Sequence, residues 1–301
     1  MANSENQVIE IIPTLLVGDS SFDQATIPFC TLCIEMDEQH IRFCIVKEEN
    51  MECIWLEDYV LEPISDPDEI FEKLKRIFTG HMLWSANNWK SVRISINSNI
   101  FSLIPNLIFD KESVRDYLAF ASGNPVSGQD KILYHELPLV NASNVFVIPA
   151  VWHEWIINHF GASGINFYHL TSPLIIGALV SHVEHQEVRI VSVYFEKDFF
   201  TLVVSESQQL ILCNRFRYTQ IQELAYIILF TLNQLGFLPE ALKVLCYGEI
   251  TATSETYQEL SKFFPNLNIG NRPTTLKYST KCAEVPGHRY FGLFNTYLVS
   301  S

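Results

Sequence analysis

Basic residues are scarce in this sequence. Lys and Arg number 20 against 34 Asp and Glu, leaving a net charge of −14. So acidic a chain repels polyphosphate, which excludes nucleic acid as an expected partner, and the pair Arg215 and Arg217 is too sparse to reverse that. Long apolar runs are missing too. The nearest, Ala225 to Leu232, falls short of the ~18 residues a membrane span needs and reads as one amphipathic helix. Met1 to Gln7 carry neither a basic start nor an apolar signal core. No membrane insertion is expected, and the cytoplasm is the expected location. The seven cysteines, an odd number mostly inside apolar segments, fit reduced buried thiols rather than a disulfide framework. Walker-type glycines and a serine-nucleophile turn are both absent.

What remains is a globular composition, 48% apolar and 18% charged, in a chain of 301 residues that is long enough for two domains. Residues 29–37, 40–47 and 51–59 read as consecutive strands. In the second, Ile41, Phe43 and Ile45 alternate with His40, Arg42 and Cys44. A helix follows, with Asp66 as N-cap, Pro67 in its first turn, Glu69 closing a capping box and Gly80 as its stop. Its apolar stripe is Ile70, Leu74, Ile77 and Phe78, and a strand at 92–96 comes next.

The same plan recurs later. Residues 188–195, 199–205 and 210–216 read as strands. Thr219, with Gln222 as partner, caps a helix through Ile221, Leu224, Ile228 and Leu232 that Gly236 ends. A strand at 242–247 and a helix from Ser254 complete a second βββαβα unit. Between the units, strands at 131–137, 144–148 and 165–169 and helices at 152–160 and 173–180 predict a small inserted α/β subdomain over about 131–181. The expected division is a first domain of 1–183 and a second of 184–301.

A duplicated βββαβα unit is the core of the actin, sugar-kinase and heat-shock-ATPase superfamily, and this sequence resembles its bacterial branch. The segment KILYHELPLVNASNVFVIPAVWHEWIINHFGASGINFYHLTSPLIIGALV, which turns through Gly161–Gly164, looks like the inserted subdomain of the actin-like proteins of type IV pilus assembly and of cell division. The terminal HRYFGLFNTYLVS sits where that branch has a helix crossing back to the first domain. The motif FSLIPNLIFDKESVRDYL resembles an uncharacterised Bacteroidetes family, a domain of unknown function within the actin-like ATPase clan. The implied fold is α/β: a duplicated actin-like ATPase (ribonuclease-H-like) fold with two mixed-sheet domains and the inserted subdomain.

In active members, each repeat's first hairpin turns through an acidic, glycine-rich loop. Its glycines let backbone N–H groups approach phosphate, and its Asp orients Mg²⁺ or the attacking water. Here the first turn is IEMDEQHIRF, with Glu35 near the Asp position and Asp37, Glu38 and Gln39 where glycine and small residues belong. The second is VYFEKDFFTL, with Tyr194 near the acidic position and Glu196 near the glycine. Neither turn contains glycine. The Gly-Gly pair that admits adenosine is reduced to Tyr247-Gly248-Glu249, where Gly248 also suits an ordinary strand end. No catalytic residue, cofactor or metal is therefore expected, and Mg·ATP is disfavoured at Glu35, Asp37, Tyr194, Glu196 and Gly248.

Other constellations have plainer readings. Cys30 and Cys33, three apart on a strand, point to opposite faces and cannot share a metal without a turn, while Cys44 and Cys53 read as core residues. His182 and His185, with Glu184 and Glu187, have helical metal spacing but lie where a solvated helix end is expected. Trp152, Trp155, Ile156 and His159 form one helical stripe, facing either the core or a partner, beside His153 and Glu154. Aromatic content of 13% leaves room for an exposed groove that takes a peptide, with Trp152 and Trp155 as its expected contacts. The expected function is a non-catalytic scaffold or adaptor, a pseudo-ATPase with a protein or peptide partner. The alternative is a divergent nucleotide-dependent ATPase or small-molecule kinase.

Overall fold

The computed structural model describes residues 12–299 except 20, 21, 37, 38, 62–66, 82, 85, 87, 162, 163, 186 and 187, and omits the side chains of 67–70, 80 and 183–185. Asp37, Glu38, Asp66 and Glu187, and the side chains of Pro67, Glu69, Ile70, Glu184 and His185, thus lie outside the described residues. In chain order the elements begin with β1 (Leu15–Gly18), β2 (Cys30–Met36), β3 (His40–Lys47), β4 (Glu52–Val60), α1 (Pro67–Gly80) and β5 (Ser91–Ile96). Next come β6 (Phe101–Pro105), α2 (Val114–Ser122), β7 (Asp130–Leu137), β8 (Ala142–Pro149), α3 (Ala150–Phe160), β9 (Ile165–His169) and α4 (Thr171–His185). The second half holds β10 (Arg189–Phe195), β11 (Phe199–Glu206), β12 (Gln209–Arg217), α5 (Ile221–Gln234), β13 (Lys243–Gly248), α6 (Glu255–Ser261) and β14 (Leu267–Ile269). The chain closes with β15 (Lys277–Tyr278), α7 (Thr280–Glu284) and α8 (Phe291–Thr296).

Two sheets repeat one topology. The first runs β4-β3-β2-β5-β9 and the second β12-β11-β10-β13-β14, each with antiparallel pairs before the parallel ones. Even the irregularities repeat. Ile45 pairs with Trp55 and Val46 with Cys53, so Ile54 is an extra residue in β4, and Ile211 is likewise extra in β12. The first sheet buries Ile34, Phe43, Phe78 and Trp84, and the second buries Val193, Phe200, Leu224 and Ile228. Ser254 caps α6 as expected, its hydroxyl accepting from the Tyr257 N–H at 3.3 Å. At α5, Glu223 rather than Gln222 answers Thr219, taking its N–H at 2.9 Å and its hydroxyl at 3.0 Å, because the helix begins one residue later than the capping pattern implies.

The small unit lies earlier in the chain than 131–181. Its sheet is β6-β8-β7, with α2 packed on it, whereas β9 pairs in parallel with β5 and completes the first large sheet. Backbone pairing decides the matter, since Phe101–Pro105 matches Ala142–Phe146 residue for residue. A buried polar knot ties this unit down. His169 shares hydrogen bonds with Thr171 Oγ1 at 2.7 Å and the Ser98 carbonyl at 2.8 Å, and stacks on Phe101 at 4.2 Å. The Asn144 amide donates to Thr171 at 2.8 Å and to Ser172 at 3.0 Å.

The C-terminal segment returns to the first sheet. β15 adds to β4, and α8 packs on α4 and β2. That approach is close because residue 177 of α4 is glycine: a Cβ there would strike Phe291 and Asn295.

Candidate functional site

The two sheets face each other across a cleft lined by Glu35, His40, Arg42, Tyr194, Glu196 and Glu249, among others. Strand register builds the first wall. Glu35 is directly opposite Arg42, and Arg42 directly opposite Asp58, so three charged side chains share one face of adjacent strands. All three are more than nine-tenths buried. Arg42 Nη1 lies 3.1 Å from Glu35 Oε1, its Nε lies 3.3 Å from Asp58 Oδ1, and its Nη2 donates to Glu249 of the second repeat.

Further groups from the second repeat and the C-terminal segment close this network. Tyr194 donates its hydroxyl to Glu35 Oε1 at 3.2 Å. Arg289 stands 3.2 Å from Glu249 and 3.7 Å from Asp58, and the Tyr290 hydroxyl donates to Asp58 at 3.2 Å. Burial opposes charge on Asp58, but the His40 hydrogen bond and the Arg42 and Arg289 guanidinia outweigh it and hold the carboxyl down to about 2. Burial also works to discharge Arg42, yet the carboxylates of Glu35, Asp58 and Glu249 together raise its pKa well above the ordinary range. The tyrosine at 194 stays protonated, because burial first and Glu35 second push its pKa far up.

A second set spans the cleft beside the first. Glu196 receives Arg215 Nη2 at 2.7 Å and Nε at 3.2 Å, and also the amide of Asn97 from the first repeat. Arg215 in turn donates to Asn99. The two walls are therefore joined by charged hydrogen bonds at both rims, and the cavity left between them measures about 130 Å³.

At the end of β13, Gly248 has φ of 79°, and a Cβ there would run into the carbonyl oxygen of Phe195. The close approach lets Gly248 donate to the His288 carbonyl and Glu249 to the Phe195 carbonyl, each at 2.9 Å. Gly248→Ala is expected to cost about 2 kcal/mol or more, from the left-handed backbone and the collision together. Urea unfolding of the variant measures it, and a loss under about 0.5 kcal/mol would remove this constraint.

The remaining sequence candidates have structural places. Trp152 is buried, and Trp155 is half-buried, with its ring 4.7 Å from Phe78 and stacked on His159 at 5.1 Å. Both indoles pack in the first core, Trp155 against Phe78 with part of its surface still exposed. His182 is buried rather than solvated, and its Nε2 shares a 2.8 Å hydrogen bond with Ser205 because β11 covers the helix end. Cys30 and Cys33 fall into different core clusters, and Cys33, Cys44, Cys53 and Cys282 pack together. Among the described residues no group of three metal-ligating side chains converges.

Two copies of one mixed sheet facing across a cleft, with a small α/β unit inserted in the first, define an actin-like ATPase fold. A solved Bacteroides thetaiotaomicron protein with this fold and unknown function superposes with a TM-score of 0.73 at 22% identity, covering 83% of this chain and 93% of that one. A PilM-PilN type IV pilus biogenesis complex matches with a TM-score of 0.59 at 10% identity, over 89% of this chain and 97% of that one. The chain belongs to the family described as a protein of unknown function, DUF3822, whose model matches residues 19–267. No curated protein matches it.

An actin-like ATPase fold implies ATP with Mg²⁺ in this cleft, and among the described residues the side chains there do not fit them. The carboxylate at 35, near the position that would orient metal or water, is engaged by Arg42 and Tyr194. Glu196 is engaged by Arg215 and Asn97. The cavity is well below the ~300–1,000 Å³ of pockets that enclose a drug-sized ligand.

Proposed function

We propose that this chain is a non-catalytic scaffold or adaptor, an actin-like fold in which side-chain ion pairs do the fastening that a nucleotide does in active relatives. The observation that carries this reading is Arg42, a cation bound to carboxylates from both repeats, Glu35 and Asp58 from the first and Glu249 from the second. Two rigid lobes held at a fixed angle present a constant surface, which suits binding another protein. A solved relative of the same fold, in complex as PilM-PilN, lends support to a protein partner. On this reading the lobes meet near residues 183–184, where α4 hands over to β10, with the C-terminal segment as a strap across both.

A thermal-shift series with ATP and ADP, each with Mg²⁺, tests the reading alongside a hydrolysis assay. A ligand at ~100 times its dissociation constant adds ~2.7 kcal/mol of stability, so binding would be plain. No shift and no turnover are expected. Turnover that disappears in Glu35→Gln would assign the chain to the enzymes instead.

A further inference from the structure

The duplicated fold treats its two outer strands differently. In the first repeat, β4 has a strand on its outer edge on either side of the extra residue Ile54. β1 pairs antiparallel with Trp55–Asp58, and β15 pairs in parallel with Glu52–Cys53. In the second repeat, β12 occupies the position of β4 and has its own extra residue, Ile211. Among the described residues no strand pairs with its outer edge.

Three features mark that edge as open. The Arg215 N–H takes the side-chain oxygen of its neighbour Asn214 at 2.9 Å, in an exposed position, so it points away from β11. Alternation along the strand turns the N–H groups of Cys213 and Arg217 the same way. From Gln209 to Asn214 the strand carries no charge, proline or glycine; its blunting devices are the bulge at Ile211 and the charges of Arg215 and Arg217 at its far end. Ile211 itself is 42% exposed.

We propose that the outer edge of β12, over Leu212–Arg217, receives an extended segment of a partner protein as an added antiparallel strand, as β4 receives β1. The edge itself sets the occupant's chemistry: backbone carbonyls spaced to meet the outward N–H groups of Cys213 and Arg217, which flank the Arg215 N–H already taken by Asn214. Charge sets the rest. Arg217 is exposed and, among the described residues, in no ion pair, its guanidinium 6.0 Å from the Phe199 ring. An acidic residue in the partner would face it. A second copy would set its whole charge of −14 against the same charge here, a far larger repulsion than that of one acidic residue placed at Arg217. The edge borders the cleft through the Arg215 side chain, but the proposed contact is made by the outward backbone of β12 and needs no nucleotide.

Residue-resolved hydrogen exchange on the full chain tests the proposal, using as probe a synthetic decapeptide of alternating valine and threonine ending in two aspartates. The probe is expected to slow exchange at Cys213 and Arg217 by about tenfold, leaving the β11-bonded amides of the same strand unchanged. Cys213→Pro removes one outward donor, and Ile211→Lys charges the edge. Each should abolish the protection with circular dichroism unaltered, and the second serves if the first does not fold. Arg217→Glu should transfer preference to a probe ending in two lysines. No protection at saturating probe would overturn the proposal. So would a dimer by light scattering that Ile211→Lys dissociates, since that would give the edge to a second copy.

Discussion

Arg42→Ala is expected to lower the unfolding free energy by about 3–5 kcal/mol, the largest loss for any single cleft substitution. The guanidinium neutralises Glu35 and Asp58, both buried, and its removal leaves two carboxylates, on the strands flanking β3, without that partner. Guanidinium-chloride unfolding measures the loss. Arg42→Met combined with Glu35→Gln and Asp58→Asn should recover part of it, because uncharged groups of similar size need no counter-charge. A loss below about 1 kcal/mol for Arg42→Ala would show that the network is solvated and holds nothing together.

Acid should destabilise the protein in two stages. His169 is buried neutral: burial first, then the Arg215 charge, carry its pKa from 6.5 down to about 3, against the opposing hydrogen bond to Ser98. Between those values the unfolded chain binds the extra proton. Its contribution is therefore fully present above about pH 6.5 and is lost as pH falls toward 3, up to about 4 kcal/mol. Asp58 acts lower. Its folded pKa of about 2 lies below the ordinary 3.8, so its contribution of about 2 kcal/mol is present above pH 3.8 and lost as pH falls through 2. Denaturant midpoints from pH 8 to pH 3 check the first stage. His169→Gln should flatten that slope, and a slope unchanged in the variant would rule out His169 as its source.

The fold could be read because its signals are local and occur twice. Alternation in β3, the serine cap of α6 and the glycine after α5 sit at matching points of two similar stretches, so each reading supports the other. The first strand of the small sheet was not legible because Phe101–Pro105 is short, ends at proline and shows its strand character only in pairing with β8. Strand β9 carries no mark of its own that says which sheet it joins.

The cleft was half legible. Glu35, Tyr194, Glu196 and Gly248 stand out as departures from a phosphate-binding pattern; the first three line the cleft, and Gly248 precedes Glu249, which does. Arg42 and Asp58 did not stand out, although the alternation of β3 already places Arg42 opposite its apolar face. A charged residue in each of three consecutive strands, Glu35, Arg42 and Asp58, is the signal that could have been followed. Glu249 and Arg289 were beyond reach: Glu249 meets Arg42 only because the two repeats face each other, and Arg289 meets Asp58 only through the return of the C-terminal segment. The tryptophans of α3 could be read either way for a simpler reason. One helical stripe serves a core or a partner equally well, and only the position of the first sheet decides between them.

The central claim is that the lobes are already fastened across the cleft by their own side chains. Small-angle X-ray scattering on the wild-type protein, with and without Mg·ATP, measures this directly. The account predicts superimposable curves, with a larger radius of gyration appearing only when Arg42 or Glu249 is replaced by alanine. A wild-type protein that contracts on adding Mg·ATP would contradict it.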